Sequence, residues 1–373
     1  MDLNRDNPTR RFILVDGLRG FAALAIVLPH SWELFQATTQ RPGWKADLIF
    51  NTRVYATVGV QIFFVLSGFV IAYILRNERI TPGVFGRFLL RRAIRLDPPY
   101  WVAMILSTLV LIFLAGPGNH LSAVPPFRVV LAHLFYLQDL LGYGEPIDHI
   151  FWTLCVEIQM YLVFCALIGL VQAVGLRYRL VLSIGMIVAL GWPMGFFHSF
   201  PRRSFVDHEY CFLAGAVAWW SIERSIPRWM TIAAAGAFLA ASVSRDGDYK
   251  IWMTFTTATV LFTAGMLGRL DTWFSSGPLQ FLGRISYGLY LVHDPVIALT
   301  LHAQQKLKLT STIDAVFILI FVYLASFTVA YAMRRFVEVP SIRLSHKLKQ
   351  SKRAEPAAML PTHPNHVLEV RPH

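Results

Sequence analysis

The chain has 373 residues, of which 55% are hydrophobic and only 15% are charged, and its mean hydropathy is +0.51. This composition excludes one or two soluble domains of that length and indicates a protein that resides in a bilayer. The formal net charge is +12 at pH 7. Because the basic residues flank apolar segments, where they orient the chain and meet anionic headgroups, we expect a lipid bilayer and no nucleic acid as partner.

Apolar stretches of about 17 to 25 residues, the length that crosses the hydrocarbon core, recur along nearly the whole sequence. They predict an all-α integral membrane protein with about ten transmembrane helices. The predicted spans are 12–35, 57–75, 99–116, 152–174, 180–198, 205–222, 229–243, 251–268, 286–302 and 313–333. A further short apolar segment at 127–141 is expected to be re-entrant or interfacial.

The predicted organisation is a cytoplasmic leader at 1–11, a transmembrane domain at 12–340 and a flexible, basic cytoplasmic tail at 341–373. The first span lacks a small-residue cleavage site and contains charged side chains, so we interpret it as a retained helix rather than a signal peptide. Ten spans place both termini on one side, which then carries 23 of the 34 Lys and Arg residues, against 10 on the other side. This bias places the termini in the cytoplasm; an eleventh crossing at 127–141 would reverse every later loop.

Two ionisable residues, Arg19 and His30, lie eleven positions apart on the first span. In a helix they fall within about 20° of one face and about 16 Å apart along the axis. Pro29 removes one backbone hydrogen bond, so a kink beside His30 is expected. Arg19 could simply extend to the interface and His30 could be a satisfied core histidine, but ionisable groups inside a membrane are usually functional.

A carboxylate, Glu157, lies near the start of the fourth predicted span, at a depth that matches that of His30. The two could form a base and its orienting partner, with Glu157 holding the imidazole tautomer. A helix-packing salt bridge is the alternative. Glu33, one turn above His30, is a rival partner.

The segment 76–98 carries six arginines and is interpreted as a cytoplasmic connection. Arg92 and Arg95 are three residues apart and share a face if the segment is helical. Paired guanidinium groups bind phosphate in a bidentate manner. The alternative is a purely topogenic cluster that holds the loop inside.

Smaller polar groups occur on two other spans. Ser67 forms a small polar notch that by itself is more often helix packing than a site. Tyr290 and His293 share one face of the ninth span and could line a polar channel or simply join helices. No zinc motif, phosphate loop or nucleophile elbow is present in the sequence, so we predict no metal site.

Several short motifs together resemble one family. The segment Val15–His30 resembles the R-x10-H signature of the membrane-bound acyltransferase-3 family. Further segments resemble the family's FFxxSG, RxxR, W-S/T-L-x-x-E, SYxxYLxH and E-x-P motifs, in the family's order: Phe63–Gly68, Arg92–Arg95, Trp152–Glu157, Ser286–His293 and Glu338–Pro340. The order and spread of these motifs make the resemblance specific.

The resemblance implies an O-acyltransferase of the bacterial inner membrane. Such proteins take an acyl group, often acetyl, from cytoplasmic acyl-CoA and pass it to a hydroxyl of a surface carbohydrate or glycolipid. On this hypothesis Arg92 and Arg95 bind the phosphates of coenzyme A and Arg19 steers the donor, while Ser67, Tyr290 and His293 line its path. His30 then deprotonates the acceptor hydroxyl.

Other hypotheses remain open at this level. Transfer could pass through an acyl-enzyme on His30 or Ser67. Outside acyl transfer, ten spans with buried arginine, histidine and glutamate also fit a transporter or flippase. A structural or sensory membrane subunit that binds a partner or anionic lipids through its basic loop is a third possibility.

Overall fold

The computed structural model describes residues 12–39, 58–120, 122–144, 146–198, 204–244 and 248–350. Within these ranges no strand occurs, which confirms the predicted all-α class. The leader at 1–11 and the tail beyond 350 lie outside the described residues. The α-helices in chain order are α1 Ile13–Thr39, α2 Val58–Ile74, α3 Pro82–Ala115, α4 Phe127–Leu134, α5 Trp152–Ala173, α6 Tyr178–Ala189, α7 Glu209–Ile222, α8 Arg228–Ser244, α9 Tyr249–Met266, α10 Gly277–Leu307, α11 Thr312–Met333 and α12 Val339–Gln350.

Several of the described helices have the length and surface of membrane-spanning elements. Within the described ranges, four helical stretches are long and apolar enough to cross a bilayer: Ile13–Ser31, Pro82–Ala115, His149–Ala173 and Ile313–Ser345. On α11 the side chains of Phe317, Phe321 and Leu324 are 67%, 58% and 61% exposed. Such a stripe suits contact with lipid rather than water. These features support an integral membrane protein, while the full set of ten crossings stays a prediction.

The arginine-rich segment 76–98 is helical from Pro82 onward. Thr81 caps α3 through its side chain, and Pro82 occupies the first turn, where its missing N–H costs nothing. From there α3 continues for 34 residues. α3 therefore begins well before the predicted span at 99–116, so most of the predicted connection at 76–98 is helical and continuous with that span.

The short apolar segment at 127–141 forms only α4, which has 8 residues. A helix of that length measures about 12 Å, well short of the roughly 30 Å hydrocarbon core. It is therefore too short to cross by itself, in keeping with an interfacial or re-entrant position.

Close helix packing depends on glycines that face backbone. α1 packs mainly against α10, and α2 packs against α7. A Cβ added to Gly68 would collide with the carbonyl of Phe212, and one added to Gly215 would collide with the carbonyl of Val65. Small residues at such crossings let two membrane helices approach within backbone contact.

Replacing Gly68 by valine is expected to destabilise the protein by about 1–3 kcal/mol, because the added atoms force α2 away from α7. The corresponding fall in melting temperature, measured on detergent-solubilised protein, is about 1–4 °C. Gly236→Val on α8 is the matched control, because a Cβ there meets nothing within 4 Å. Equal melting temperatures for the two variants would contradict the assigned packing role.

The C-terminal part departs from the predicted flexible tail. A five-residue π-helical segment, Arg334–Glu338, joins α11 to α12. α12 then packs on α3, where the Ser345 hydroxyl donates to the carbonyl of Arg91 at 3.1 Å. Residues 341–350 are therefore helical rather than irregular, and their helix contacts α3 through Ser345.

Candidate functional site

Two histidines and an aspartate meet where α1 approaches α10 and the start of α5. His30 Nδ1 lies 3.3 Å from His149 Nε2, and His149 Nδ1 lies 3.3 Å from Asp294 Oδ2. All three side chains are half-buried. We call this end of the helix bundle the histidine end. Pro29 lies inside α1 and does not end the helix.

His149 is held in place by its local structure. It opens a 3₁₀ turn, His149–Phe151, that is capped by Asp148, whose Oδ1 accepts from the backbone N–H of Ile150 at 3.2 Å. The other oxygen of Asp148 accepts from the Ser107 hydroxyl at 2.7 Å. Burial, together with the nearby Asp294 carboxylate, raises the pKa of Asp148.

His293 packs against His30, with ring centroids 5.1 Å apart. Its Nδ1 lies 2.7 Å from the carbonyl of Tyr290, which must accept, so Nδ1 carries the proton and Nε2 is an acceptor. Nε2 is buried and has no hydrogen-bond partner among the described residues. The Tyr290 hydroxyl donates to the carbonyl of Ile150 at 2.8 Å and lies 2.5 Å from the Thr153 hydroxyl. Tyr290 and His293, which the sequence analysis predicted to line a polar path, therefore both lie at the histidine end.

Glu157 does not take the predicted position beside His30. Its carboxylate accepts hydrogen bonds from the Ser67 hydroxyl, at 2.6 Å, and from the Tyr161 hydroxyl. The expected pair of Glu157 and His30 is thus replaced by His149 and Asp294, because the chain before α5 brings His149 closer to α1. The side chain of the rival partner Glu33 lies outside the described part of the chain.

The polar residues around the site form a stripe along α5. His149, Thr153, Glu157 and Tyr161 follow one another at a spacing of four and span about 18 Å. Sequence reasoning stopped at Glu157 and missed His149. His149 could have been identified from its spacing, since it lies four residues before Thr153 and eight before Glu157. Asp294 directly follows His293, which the sequence analysis had already selected.

The far end of this stripe meets the arginines, at what we call the arginine end. The guanidinium of Arg92 lies 4.7 Å from the centroid of the Tyr161 ring. Arg95 is near Arg92 and is within electrostatic range of Arg19 and Glu338. The predicted donor residues Arg19, Arg92 and Arg95 are therefore brought together, whereas Ser67 lies midway and Tyr290 and His293 lie at the opposite end.

A cavity of about 210 Å³ opens at the arginine end between α3 and α12. Its lining includes four arginines: Arg87, Arg91, Arg92 and Arg95. The Nε of Arg91 and that of Arg19 are buried without a hydrogen-bond partner among the described residues. A cavity lined by four guanidinium groups, one of them with a buried Nε that lacks a partner in the described part of the chain, suits a ligand with more than one phosphate.

A second basic cavity of about 520 Å³ adjoins the first and shares Glu78 with it. Arg179 forms part of its wall, where it donates to the carbonyl of Arg76 at 2.7 Å and pairs with Glu223 at 3.4 Å. The basic charge of this end therefore extends beyond α3.

The arrangement combines a cluster of arginine side chains at one end with an imidazole near a carboxylate at the other. That combination suits transfer of a group from a phosphate-bearing donor by general-base catalysis. The ligand atoms of His30, His149 and Asp294 also lie within 4.8 Å of one another, close enough for a metal ion to be considered. The predicted lack of a metal stays a prediction.

Comparison with known proteins agrees with the motifs. The acyltransferase domain of the acyltransferase-3 family matches residues 12–335. A peptidoglycan O-acetyltransferase of Listeria monocytogenes is 26% identical, with the alignment covering 87% of this chain and 55% of that protein. A Bacillus subtilis protein with the provisional name of peptidoglycan O-acetyltransferase is 28% identical, over 78% of this chain and 49% of that protein.

A third relative, from Komagataeibacter xylinus, carries the provisional name of membrane-bound transacylase. It is 25% identical, over 78% of this chain and 74% of its own length. The chain spans about half the length of the two peptidoglycan relatives. No solved structure matches the chain significantly.

Proposed function

Because this chain belongs to the acyltransferase-3 family, we propose that it is a membrane-embedded O-acyltransferase that acts on a carbohydrate of the cell envelope. The observation that carries the proposal is the pairing of His30 with His149 at one end of a polar stripe whose other end is a cavity lined with arginines. The acyl group is acetyl, in line with the names of the relatives.

The arginine end is the proposed donor site. The phosphates of acyl-CoA occupy the cavity at Arg92 and Arg95, and Arg19 draws the donor toward α1. From there the flexible arm of the donor extends along the α5 stripe, past Ser67 and Glu157. The positive-inside rule assigns this end to the cytoplasm, where acyl-CoA is made.

The histidine end is the proposed reaction centre. His30 removes the proton of the acceptor hydroxyl as the oxygen attacks the thioester carbonyl carbon. The C–S bond then breaks, and the leaving thiolate takes the proton from the imidazolium. The products are an ester on the acceptor and the coenzyme A thiol. Tyr290 and His293 shape the acceptor side of this centre.

The proposed topology has about ten spans in a bacterial inner membrane, with both termini in the cytoplasm. It places the donor cavity inside and the histidine end toward the outer face, where an envelope glycan is available. A transporter or flippase is less well supported, since the family match covers residues 12–335 and the site provides a base as well as charges.

The proposal is tested by mass spectrometry of surface glycans and lipids from cells with and without the gene. We expect one glycan to lose an ester, seen as a mass decrement that mild alkali reproduces. Restoring the gene should restore the ester. Identical ester content on every envelope glycan, with the protein expressed and inserted, would contradict an envelope acceptor.

A further inference from the structure

His149 lies between His30 and Asp294 and faces each of them with a different ring nitrogen. Nε2 is 3.3 Å from His30 Nδ1, and Nδ1 is 3.3 Å from Asp294 Oδ2. We infer that Asp294 and His149 are positioning residues that set the tautomer of His30 and share the charge it gains. This inference rests on the proposed role of His30 as the base.

The tautomers follow from the order of the three groups. An ionised carboxylate only accepts, so the nitrogen of His149 that faces Asp294 carries a proton. In neutral His149 the other nitrogen, Nε2, is then an acceptor, and His30 must donate from Nδ1. The lone pair of His30 is therefore on Nε2, the nitrogen that takes the proton of the acceptor hydroxyl.

The same chain of hydrogen bonds stabilises the charged state. When His30 gains a proton at Nε2, its Nδ1 proton can move to His149 Nε2. The positive charge then lies beside the Asp294 carboxylate. The reverse movement returns the proton to His30 before it passes to the leaving thiolate, so the relay gains and loses no proton over a cycle.

Asp294, not its neighbour Asp148, is the carboxylate suited to this role. Asp148 is 4.0 Å from His149 Nδ1, and its two oxygens already accept from Ser107 and from the N–H of Ile150. Its raised pKa also favours the neutral form. Asp294 is closer to His149, and each of the three histidines His30, His149 and His293 is within its electrostatic range.

A metal ion fits these contacts less well than a relay does. A metal needs one atom of each residue to face a common point. Here His30 and Asp294 make their 3.3 Å contacts with different nitrogens of His149, whereas a set of one ligand atom from each residue is held together only within 4.8 Å. The geometry is that of a hydrogen-bonded chain.

The experiment uses the full-length chain in proteoliposomes, supplied with acetyl-CoA and with envelope glycan from cells that lack the gene. Release of the coenzyme A thiol gives kcat and KM for the donor across a range of pH. The variants are Asp294→Asn, Asp294→Glu, His149→Gln and His30→Ala, with Asp148→Asn as a matched carboxylate control. Chromatographic profile and melting temperature establish that each variant is folded.

Asp294→Asn is expected to lower kcat by between about 10-fold and 10⁴-fold, since an amide in the place of an orienting carboxylate allows the wrong tautomer. The donor KM should change by less than about twofold, because the arginine end is untouched. Loss of the negative charge makes the protonated form of the imidazole pair less stable, so the acid limb of kcat/KM should move to lower pH. Asp294→Glu should recover part of kcat, and Asp148→Asn should move the acid limb less than Asp294→Asn does.

Three results would overturn the relay. One is a folded Asp294→Asn protein with wild-type kcat and pH profile while His30→Ala is inactive; this leaves the proposed function standing. The second is a stoichiometric metal ion in the purified protein that His149→Gln removes. The third is an equal loss of kcat and an equal pH shift in Asp148→Asn. Near-normal transfer by His30→Ala would instead contradict the proposed function itself.

Discussion

Replacing His30 by alanine is expected to lower the acyl-transfer rate by about 10² to 10⁴, the usual contribution of a general base. The side chain is half-buried at the histidine end and forms no part of the glycine contacts between α2 and α7, so the variant should insert and fold. Because Arg19, the α1 residue of the arginine end, lies about 16 Å from His30 along the helix axis, the donor KM should be nearly unchanged. The measurement is coenzyme A thiol release by protein matched for expression.

The control for His30 is His120→Ala, which removes an exposed imidazole whose Nδ1 lies 3.0 Å from the carbonyl of Ile112. It should transfer at the wild-type rate. A folded His30→Ala protein that also transfers at the wild-type rate would remove His30 from the chemistry, whatever the acceptor.

The double replacement Arg92→Ala and Arg95→Ala is expected to raise the donor KM by at least about tenfold. Hydrogen bonds to charged groups contribute about 1.5–3 kcal/mol each, and 1.4 kcal/mol corresponds to a factor of ten. Because these residues are remote from His30, kcat at saturating donor should fall much less than KM rises. Steady-state kinetics with varied acetyl-CoA measures both constants.

Two further variants separate charge from geometry at the arginine end. Arg92→Lys and Arg95→Lys keep the charge but lose the planar bidentate fork, so their KM should lie between wild type and the alanine pair. Arg343→Ala removes an equal charge from the exposed face of α12, outside the cavity lining, and should leave KM unchanged. An equally large rise in donor KM for Arg343→Ala would mean that Arg92 and Arg95 act only through the general positive charge of the surface, which would contradict a specific phosphate site.

The extent to which the site could be predicted differs between its two ends. That Arg92 and Arg95 lie together could be predicted, because a spacing of three places both on one face of a helix regardless of how that helix packs. The partner of His30 was missed because it depends on how separate helices pack: His149 and Asp294 are 119 and 264 positions away in the chain. Matching depth suggested Glu157, but depth alone does not say which side chain a helix turns toward α1.

The boundaries of the helices also differ in how well the sequence predicts them. The α5 span at 152–174 was predicted to within one residue, since the apolar run and the helix end together. The start of α3 was not predicted, because its arginines interrupt the apolar pattern although they are helical and line a cavity beside α12.

By itself the sequence determined the all-α membrane class, the family and the opposite placement of Arg19 and His30, because hydrophobic length, motif order and helical pitch are local properties. Only the tertiary structure decided that α3 is continuous, that α12 packs on it, and that His30 meets His149 and Asp294 rather than Glu157. Those outcomes depend on which helix faces approach each other. Which faces meet is decided by packing between segments that are distant in the chain, and the glycine contacts between α2 and α7 are one example of such packing.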